Sequence, residues 1–426
     1  MRADFILHNA DEIVTCAGQA PRAGVHQREA GALRDASIAA ADGRIVFVGP
    51  SGDLAGSVEP APGARVFDAR GCAVVPGFVD PHTHLLYAGD RRHELRQRLA
   101  GKTYAEIAAE GGGIVSTVDA TRDATEHELV ESGRVRLAEM LRCGTTTCEV
   151  KSGYGLSLEA ERKMLRAIAA LASTQPIDIS ATFMGAHEVP REYRGRRGEY
   201  VRHIINDMLP AVAAEGLAEW CDVFCEDGVF TPDDARVILE AARALGFGLR
   251  VHADELASSG GARVAADLGA RSADHLVHVS HDDAERLAAA GVTATLLPCA
   301  AFYLKLPRFA PARMLIDAGV PVALATDVNP GGGLSPSMPF ALTLACFAMN
   351  MTFEEALVAS TINAAWALQR HTIAGSLELG KRLDAVVVDG GAMELVRVGT
   401  TAIRQVIARG HVVHDARPLP LKAGVS

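Results

Sequence analysis

The sequence predicts an α/β protein: a (β/α)8 TIM-like barrel plus a small β-sandwich domain built from both chain ends. Three observations predict it. Short apolar runs alternate with longer stretches of helical period through the middle of the chain. Residues able to bind a metal or a substrate follow most of those runs. The two termini share a strand-and-turn texture that the middle lacks.

At the N-terminal end the strand runs are Phe5-Ile6-Leu7-His8, Glu12-Ile13-Val14-Thr15 and Ser37-Ile38-Ala39-Ala40. An Asp42-Gly43 turn leads into Arg44-Ile45-Val46-Phe47-Val48-Gly49, which is a hairpin signal. The far end repeats the texture with Ala385-Val386-Val387-Val388, then Ala402 to Ala408, an Arg409-Gly410 turn, and His411-Val412-Val413-His414. Neither piece holds enough apolar strand for its own core. Residues 1–72 and 379–426 are therefore expected to pair into one sandwich, with residues 73–378 inserted between them.

Eight candidate barrel strands follow: Val74–His82, Thr145–Val150, Ile177–Met184, Cys221–Cys225, Gly248–His252, Ser272–Leu276, Thr293–Leu297 and Val322–Thr326. Helix-like segments separate them, among them Glu126–Leu141, Leu158–Leu171, Asp233–Ala244, Ala262–Leu268, Asp282–Ala290 and Ala312–Ala318. Thr231-Pro232-Asp233-Asp234 supplies a cap, a first-turn proline and two acids at a helix start. Such barrels carry their reactive groups at the C-terminal ends of the strands. Those ends here read His82 and His84, Lys151-Ser152-Gly153-Tyr154, His187, Glu226-Asp227, His252, His275, Pro298-Cys299 and Asp327.

Composition fits a large core and narrows the function. Of 426 residues 49% are hydrophobic and 22% charged, so global disorder is excluded. A formal net charge of −10 argues against a nucleic-acid or anionic-membrane footprint. The eight cysteines show no small-scaffold spacing; Cys221 and Cys225 stand without a second Cys/His pair and read as strand residues rather than a zinc site. The start, Met1-Arg2-Ala3-Asp4-Phe5, lacks a signal-peptide pattern, and no run of about 18 apolar residues appears. A cytoplasmic protein with no membrane partner is expected. The face of Met338–Met349 reads equally as barrel cover or subunit interface, and a homodimer is the expected assembly.

The strongest chemical feature is Pro76-Gly77-Phe78-Val79-Asp80-Pro81-His82-Thr83-His84. Residues two apart on a strand face one side, so His82 and His84 can reach one ion together. A bare His-x-His would as readily be two histidines on a solvated edge. The apolar strand before it, and further ligands at later strand ends, favour a metal. His252 closes Leu249-Arg250-Val251, and Asp327 closes the apolar run Val322 to Thr326, where a carboxylate without a cation or donor would be costly. Three imidazoles and one carboxylate suit zinc or iron, with a position left for water. His275 could be a fifth ligand, a water-positioning base or a core residue. The fourth strand ends Phe224-Cys225-Glu226 with no lysine to bridge a second ion, so one metal per subunit is expected.

These residues resemble the amidohydrolase superfamily. A narrower similarity, to the imidazolonepropionase family, runs through nearly the whole chain. It is carried by Gly101-Lys102-Thr103-Tyr104, Gly111-Gly112-Gly113-Ile114-Val115-Ser116-Thr117-Val118 and Glu149-Val150-Lys151-Ser152-Gly153-Tyr154-Gly155-Leu156. Thr182 to His187, Phe224 to Phe230, His252-Ala253-Asp254-Glu255-Leu256 and Asp327-Val328-Asn329-Pro330-Gly331 complete it. The resemblance implies that His82, His84, His252 and Asp327 hold the metal. It also implies that Arg91, Tyr154, His187, Glu255, Asn329 and Gly331 hold substrate or product. The family usually follows this glycine with Thr or Ser; here Gly332 stands in that place.

The implied substrate is the small molecule 4-imidazolone-5-propanoate, whose lactam C–N bond is hydrolysed to N-formimidoyl-L-glutamate in histidine degradation. Arg91 offers a forked donor for its carboxylate. Tyr154 and His187 could donate to carboxylate or carbonyl oxygen, and Glu255 could accept from a ring N–H. The expected catalytic set is His275, Asp327, Glu255 and His187: Asp327 takes the proton of a metal-activated water, His275 orients the nucleophile, and His187 or the metal polarises the carbonyl. A nucleobase or aminoimidazole deaminase on the same scaffold is the first rival, against which the Arg91, Tyr154 and Glu255 set counts. The second is a non-catalytic relative that has lost its ligands, and here all four ligands are present.

Overall fold

The structure, a computed structural model, describes residues 1–102, 106–107, 112–399 and 402–416. Of the family-like motifs, Thr103, Tyr104 and Gly111 lie outside the described residues. The chain opens with strands β1 (Arg2–Val14), β2 (Ala32–Ala41), β3 (Arg44–Pro50), β4 (Glu59–Asp68) and β5 (Cys72–Pro76). The barrel strands follow as β6 (Phe78–Asp80), β7 (Thr145–Lys151), β8 (Asp178–Ala186), β9 (Trp220–Cys225), β10 (Gly248–Ala253), β11 (Ser272–His275), β12 (Thr293–Leu296) and β13 (Val322–Leu324). The chain then returns to the first sheet with β14 (Ala385–Asp389), β15 (Ile403–Ala408) and β16 (His411–Asp415).

Strands β6 to β13 pair in sequence order, all parallel, each with its neighbours in the chain. The seam between first and last is closed just past the strands. Asp327 N donates to His82 O at 3.1 Å, His84 N to Val328 O at 3.0 Å, and Thr326 N to the Asp80 carboxylate at 3.1 Å. Fully buried Asp80 therefore acts as a clasp between the two edges. Helices form the outer layer; the predicted start at Thr231 is a capping box with Asp234, and Thr125 with Glu128 forms another.

The predicted run Val74–His82 is divided. Cys72–Pro76 pairs with β1 and β14 in the terminal sheet, and only Phe78–Asp80 enters the barrel. Gly77 makes the crossing, where a Cβ would overlap the Thr146 side chain. The β4 strand carried no sequence signal: Glu59-Pro60-Ala61-Pro62-Gly63 reads as turn, and the segment runs parallel along β1 with mostly exposed residues.

The chain ends form one eight-stranded sheet, in the order β16-β15-β14-β5-β1-β2-β3, with β4 also on β1. It has its own apolar core, in which Phe5, Leu7, Ile13, Ile38 and Ile45 meet Leu383, Ala385, Val387 and Ile407. The sheet curls until its two predicted turns touch. Leu383 N donates to Gly43 O, and a Cβ on Gly43 would lie 2.5 Å from the Arg409 carbonyl oxygen. Gly43 also has φ +73°. Gly43→Ala should therefore cost roughly 1–3 kcal/mol, seen as a lowered Tm, while kcat/KM at a temperature where the variant is folded stays unchanged.

Candidate active site

The C-terminal ends of the barrel strands bring His82, His84, His252, His275 and Asp327 into one cluster, all at least 96% buried. His84 Nε2 and His252 Nε2 stand 3.1 Å apart, and Asp327 Oδ1 lies 3.7 Å from both His82 Nε2 and His84 Nε2. His82 Nε2 and Asp327 Oδ1 have no hydrogen-bond partner among the described residues. Burial holds His82, His84 and His275 well below the usual imidazole pKa, so they are neutral with lone pairs to offer. Burial likewise pushes Asp327 up to about 8. Converging lone pairs repel unless a cation or proton lies among them, so this nitrogen-rich donor set fits a metal ion. The backbone is left-handed at His275 (φ 73°) and Asp327 (φ 52°), conformations costly for side-chain-bearing residues and concentrated at functional sites.

Beneath the cluster lies a layer that the sequence reading missed. Asp274, on β11, accepts from or pairs with His82 Nδ1 at 2.7 Å, and Asp222, on β9, lies 3.0 Å from His252 Nδ1. A carboxylate at Nδ1 holds the proton there and turns Nε2 toward the ion. Both carboxylates are tied down in turn. Lys151 Nζ donates to Asp222 and to Glu149 at 2.7 Å each, and Arg250 lies 3.3 Å from Asp274 and 3.2 Å from Glu149. All five are fully buried. Burial opposes a charged Lys151, yet Asp222 and Glu149 outweigh it and raise its pKa. The spacing that could have revealed the layer is Glu149/Lys151 and Arg250/His252, pairs two apart on inward strand faces.

Above the cluster opens a cavity of about 430 Å³. Arg91, Tyr154, His187, Glu255, Asn329 and Gly332 all line it, with apolar cover from Phe224, Leu304 and Leu306. Arg91 is buried, unlike Arg92 and Arg96, and Glu94 grips its Nε and Nη2 edge at 2.8–3.1 Å. Gly331 packs on that guanidinium, where a Cβ would lie 2.5 Å from Nη1. Arg98, Lys102 and Lys305 also face the cavity and were not singled out from sequence. Asn329 serves its own loop: Oδ1 accepts from Gly331 N and Gly332 N, and Nδ2 donates to Asp327 O. Gly332 thus has its N–H engaged, and a Cβ there would meet Leu304 at 3.3 Å, so the missing Thr or Ser has little room.

His187 differs from its expected role. Its Nδ1 lies 3.0 Å from Gly153 O, which can only accept, so Nδ1 carries the proton. Burial lowers its pKa to about 3, and a neutral ring has one N–H. The other nitrogen is therefore an acceptor. It suits a substrate N–H and not a carbonyl oxygen. Glu255 reaches toward His275 Nδ1 at 3.6 Å, and burial, with Asp327 and Glu226 adding, pushes its carboxyl well above the usual range.

Residues 73–415 match the model of the Amidohydrolase family. An imidazolonepropionase of Symbiobacterium thermophilum is 51% identical over 415 residues, covering 97% of each chain. One from Clostridium tetani is 45% identical, covering 97% of this chain and 99% of its own. The chain belongs to the imidazolonepropionase family. It is a hydrolase of the amidohydrolase type, and solved structures agree on the fold. A triazine hydrolase from Arthrobacter aurescens superposes with TM-score 0.72 at 19% identity, over 97% of this chain and 96% of that one. A zinc-bound adenosine deaminase from Xanthomonas campestris gives 0.69 at 20%, over 96% and 93%.

The carboxylates under the imidazoles lead to a prediction. Asp274→Asn should weaken divalent-metal affinity about 10–100-fold, measured by competition against a chromophoric chelator. An unchanged affinity would show that Asp274 does not orient His82.

Proposed function

We propose that this protein hydrolyses the lactam C–N bond of 4-imidazolone-5-propanoate to N-formimidoyl-L-glutamate in histidine degradation, with one metal ion, zinc or iron, held by His82, His84, His252 and Asp327. The observation that carries the reading is the convergence of those four side chains, with buried donor atoms left unpartnered, at the floor of a cavity lined by cations. When bound, such an ion lowers the pKa of its water toward about 7, so that hydroxide is available at neutral pH.

The residues do the rest. Arg91, with Arg98, Lys102 and Lys305 nearby, draws in the substrate carboxylate. Tyr154 lies against the His187 ring, centroids 5.3 Å apart, and flanks the bound ring. His187 accepts a ring N–H through its unprotonated nitrogen, fixing which face of the lactam meets the nucleophile. Polarising the carbonyl would fall to an ion held by His82, His84, His252 and Asp327. Asp327 would take the water proton and return it to the leaving nitrogen as the C–N bond breaks, while His275, backed by Glu255, orients the attacking oxygen.

A homodimer in the cytoplasm is part of the reading, and the net charge of −10 disfavours a nucleic-acid or anionic-membrane partner. No described helix is long and apolar enough to cross a membrane. Helix Met338–Ala348 covers the barrel with Met338, Ala341, Leu342 and Ala345 while Phe347 stands 77% exposed, as a residue of a subunit surface would.

The direct test follows the ultraviolet absorbance of freshly prepared imidazolone propanoate. Consumption should need the metal, stop with chelator and return on adding zinc or ferrous iron; ammonia release from adenine, guanine or cytosine instead would favour a deaminase. His275→Ala should lower kcat by about 10²–10⁴-fold with metal content near that of the parent protein. If metal is lost in proportion, His275 is a ligand.

A further inference from the structure

The glycine-rich turn after β7 is held by a carboxylate with no catalytic assignment. Glu161, in the first turns of helix Leu158–Thr174, is fully buried. Its Oε1 accepts from Gly155 N and Leu156 N at 2.8 Å each and from Gly153 N at 3.1 Å, and the Ser152 hydroxyl adds a fourth donor. The turn is shaped for this grip. Gly153 has φ +98°, Leu156 has φ 49°, and a Cβ on Gly155 would lie 2.5 Å from Glu161 N.

Two cavity groups hang from that turn. Tyr154 sits between amides bound to the carboxylate on either side. Gly153 presents its carbonyl to His187 Nδ1 while its own N–H is bound to Glu161. Ser152 links the turn to the next strand, accepting from Met184 N at 2.9 Å through Oγ and donating its N–H to Thr182 O. The carboxylate thus fixes Gly153 at its nitrogen, and Gly153 fixes the imidazole at its oxygen.

We infer that Glu161 is a positioning residue for the reaction: through Gly153 it sets which His187 nitrogen carries the proton, and through the flanking amides it sets where Tyr154 meets the substrate. The inference rests on the reading that Tyr154 and His187 face the substrate. A carboxylate is required because every partner is a donor. Glutamine presents two N–H hydrogens where the Gly153 amide also points one, so one side of the grip is lost.

The test is a double-mutant cycle in the metal-loaded enzyme, with Glu161→Gln, Tyr154→Phe and the pair. Glu161→Gln should raise KM about tenfold or more at unchanged metal content, and should add little in the Tyr154→Phe background. Nitrogen-15 spectra of histidine-labelled protein should show one ring losing its Nδ1–H pattern in Glu161→Gln. Glu161→Asp, too short to reach all three amides, should fall between parent and Gln variant, and it serves as the readout if the Gln variant does not fold. Effects of Glu161→Gln and Tyr154→Phe that simply add, with every histidine tautomer retained, would overturn the inference. An unchanged KM in Tyr154→Phe alone would instead remove Tyr154 from the substrate site.

Discussion

Five charged side chains buried inside the barrel, Glu149, Lys151, Asp222, Arg250 and Asp274, are the constraint on which the site depends. Barrel interiors are ordinarily filled by branched apolar residues. Ionised groups placed there cost several kcal/mol each unless matched closely. Here each finds an opposite charge within about 3.3 Å. Three carboxylates against two cations leave one negative charge in formal excess, directly under the imidazole cluster. A cation above is the complement of that layer. The same carboxylates fix the ring orientations, so electrostatics and geometry come from one set of contacts.

Closure of the barrel and assembly of the site are likewise one event. His82 and His84 follow β6, Asp327 follows β13, and the backbone bonds that join those ends are made by His82, His84, Asp327 and Val328 themselves. The Asp80 carboxylate on Thr326 lies immediately behind. A barrel that failed to close would separate three of the four donors. The left-handed backbone at Asp327 is tolerable because this hydrogen bonding over-determines that end.

What the sequence discloses follows the range of the interaction. The His82/His84 pair is legible because strand period alone puts both on one face. The capped helix start at Thr231 is legible because capping is local, and the terminal hairpin is legible from Asp42-Gly43. The β4 strand was not, because it is held by backbone pairing along an edge and its proline-rich start mimics a turn. The division of Val74–His82 escaped a reading of apolarity, since both halves are fully buried. Asp222 and Asp274 stood unmarked because their meaning lies across strands. The His187 role changed for a similar reason: only the Gly153 carbonyl says which nitrogen holds the proton.

That proton bears on the choice between a lactamase of this kind and a deaminase on the same scaffold. Around the cavity, the carboxylates among the lining residues, Glu255 and Asp327, lie beside the donor cluster, whereas Arg91, Arg98, Lys102 and Lys305 line the same space. A nucleobase carries no carboxylate to meet the positive charge that gathers there. A ring bearing a propanoate tail would supply a negative charge opposite those side chains, and a ring N–H would suit the acceptor nitrogen of His187. Both features enter from the protein's side of the contact, before any ligand is placed. They select a cyclic amide with an anionic tail over an amino-substituted base of similar size.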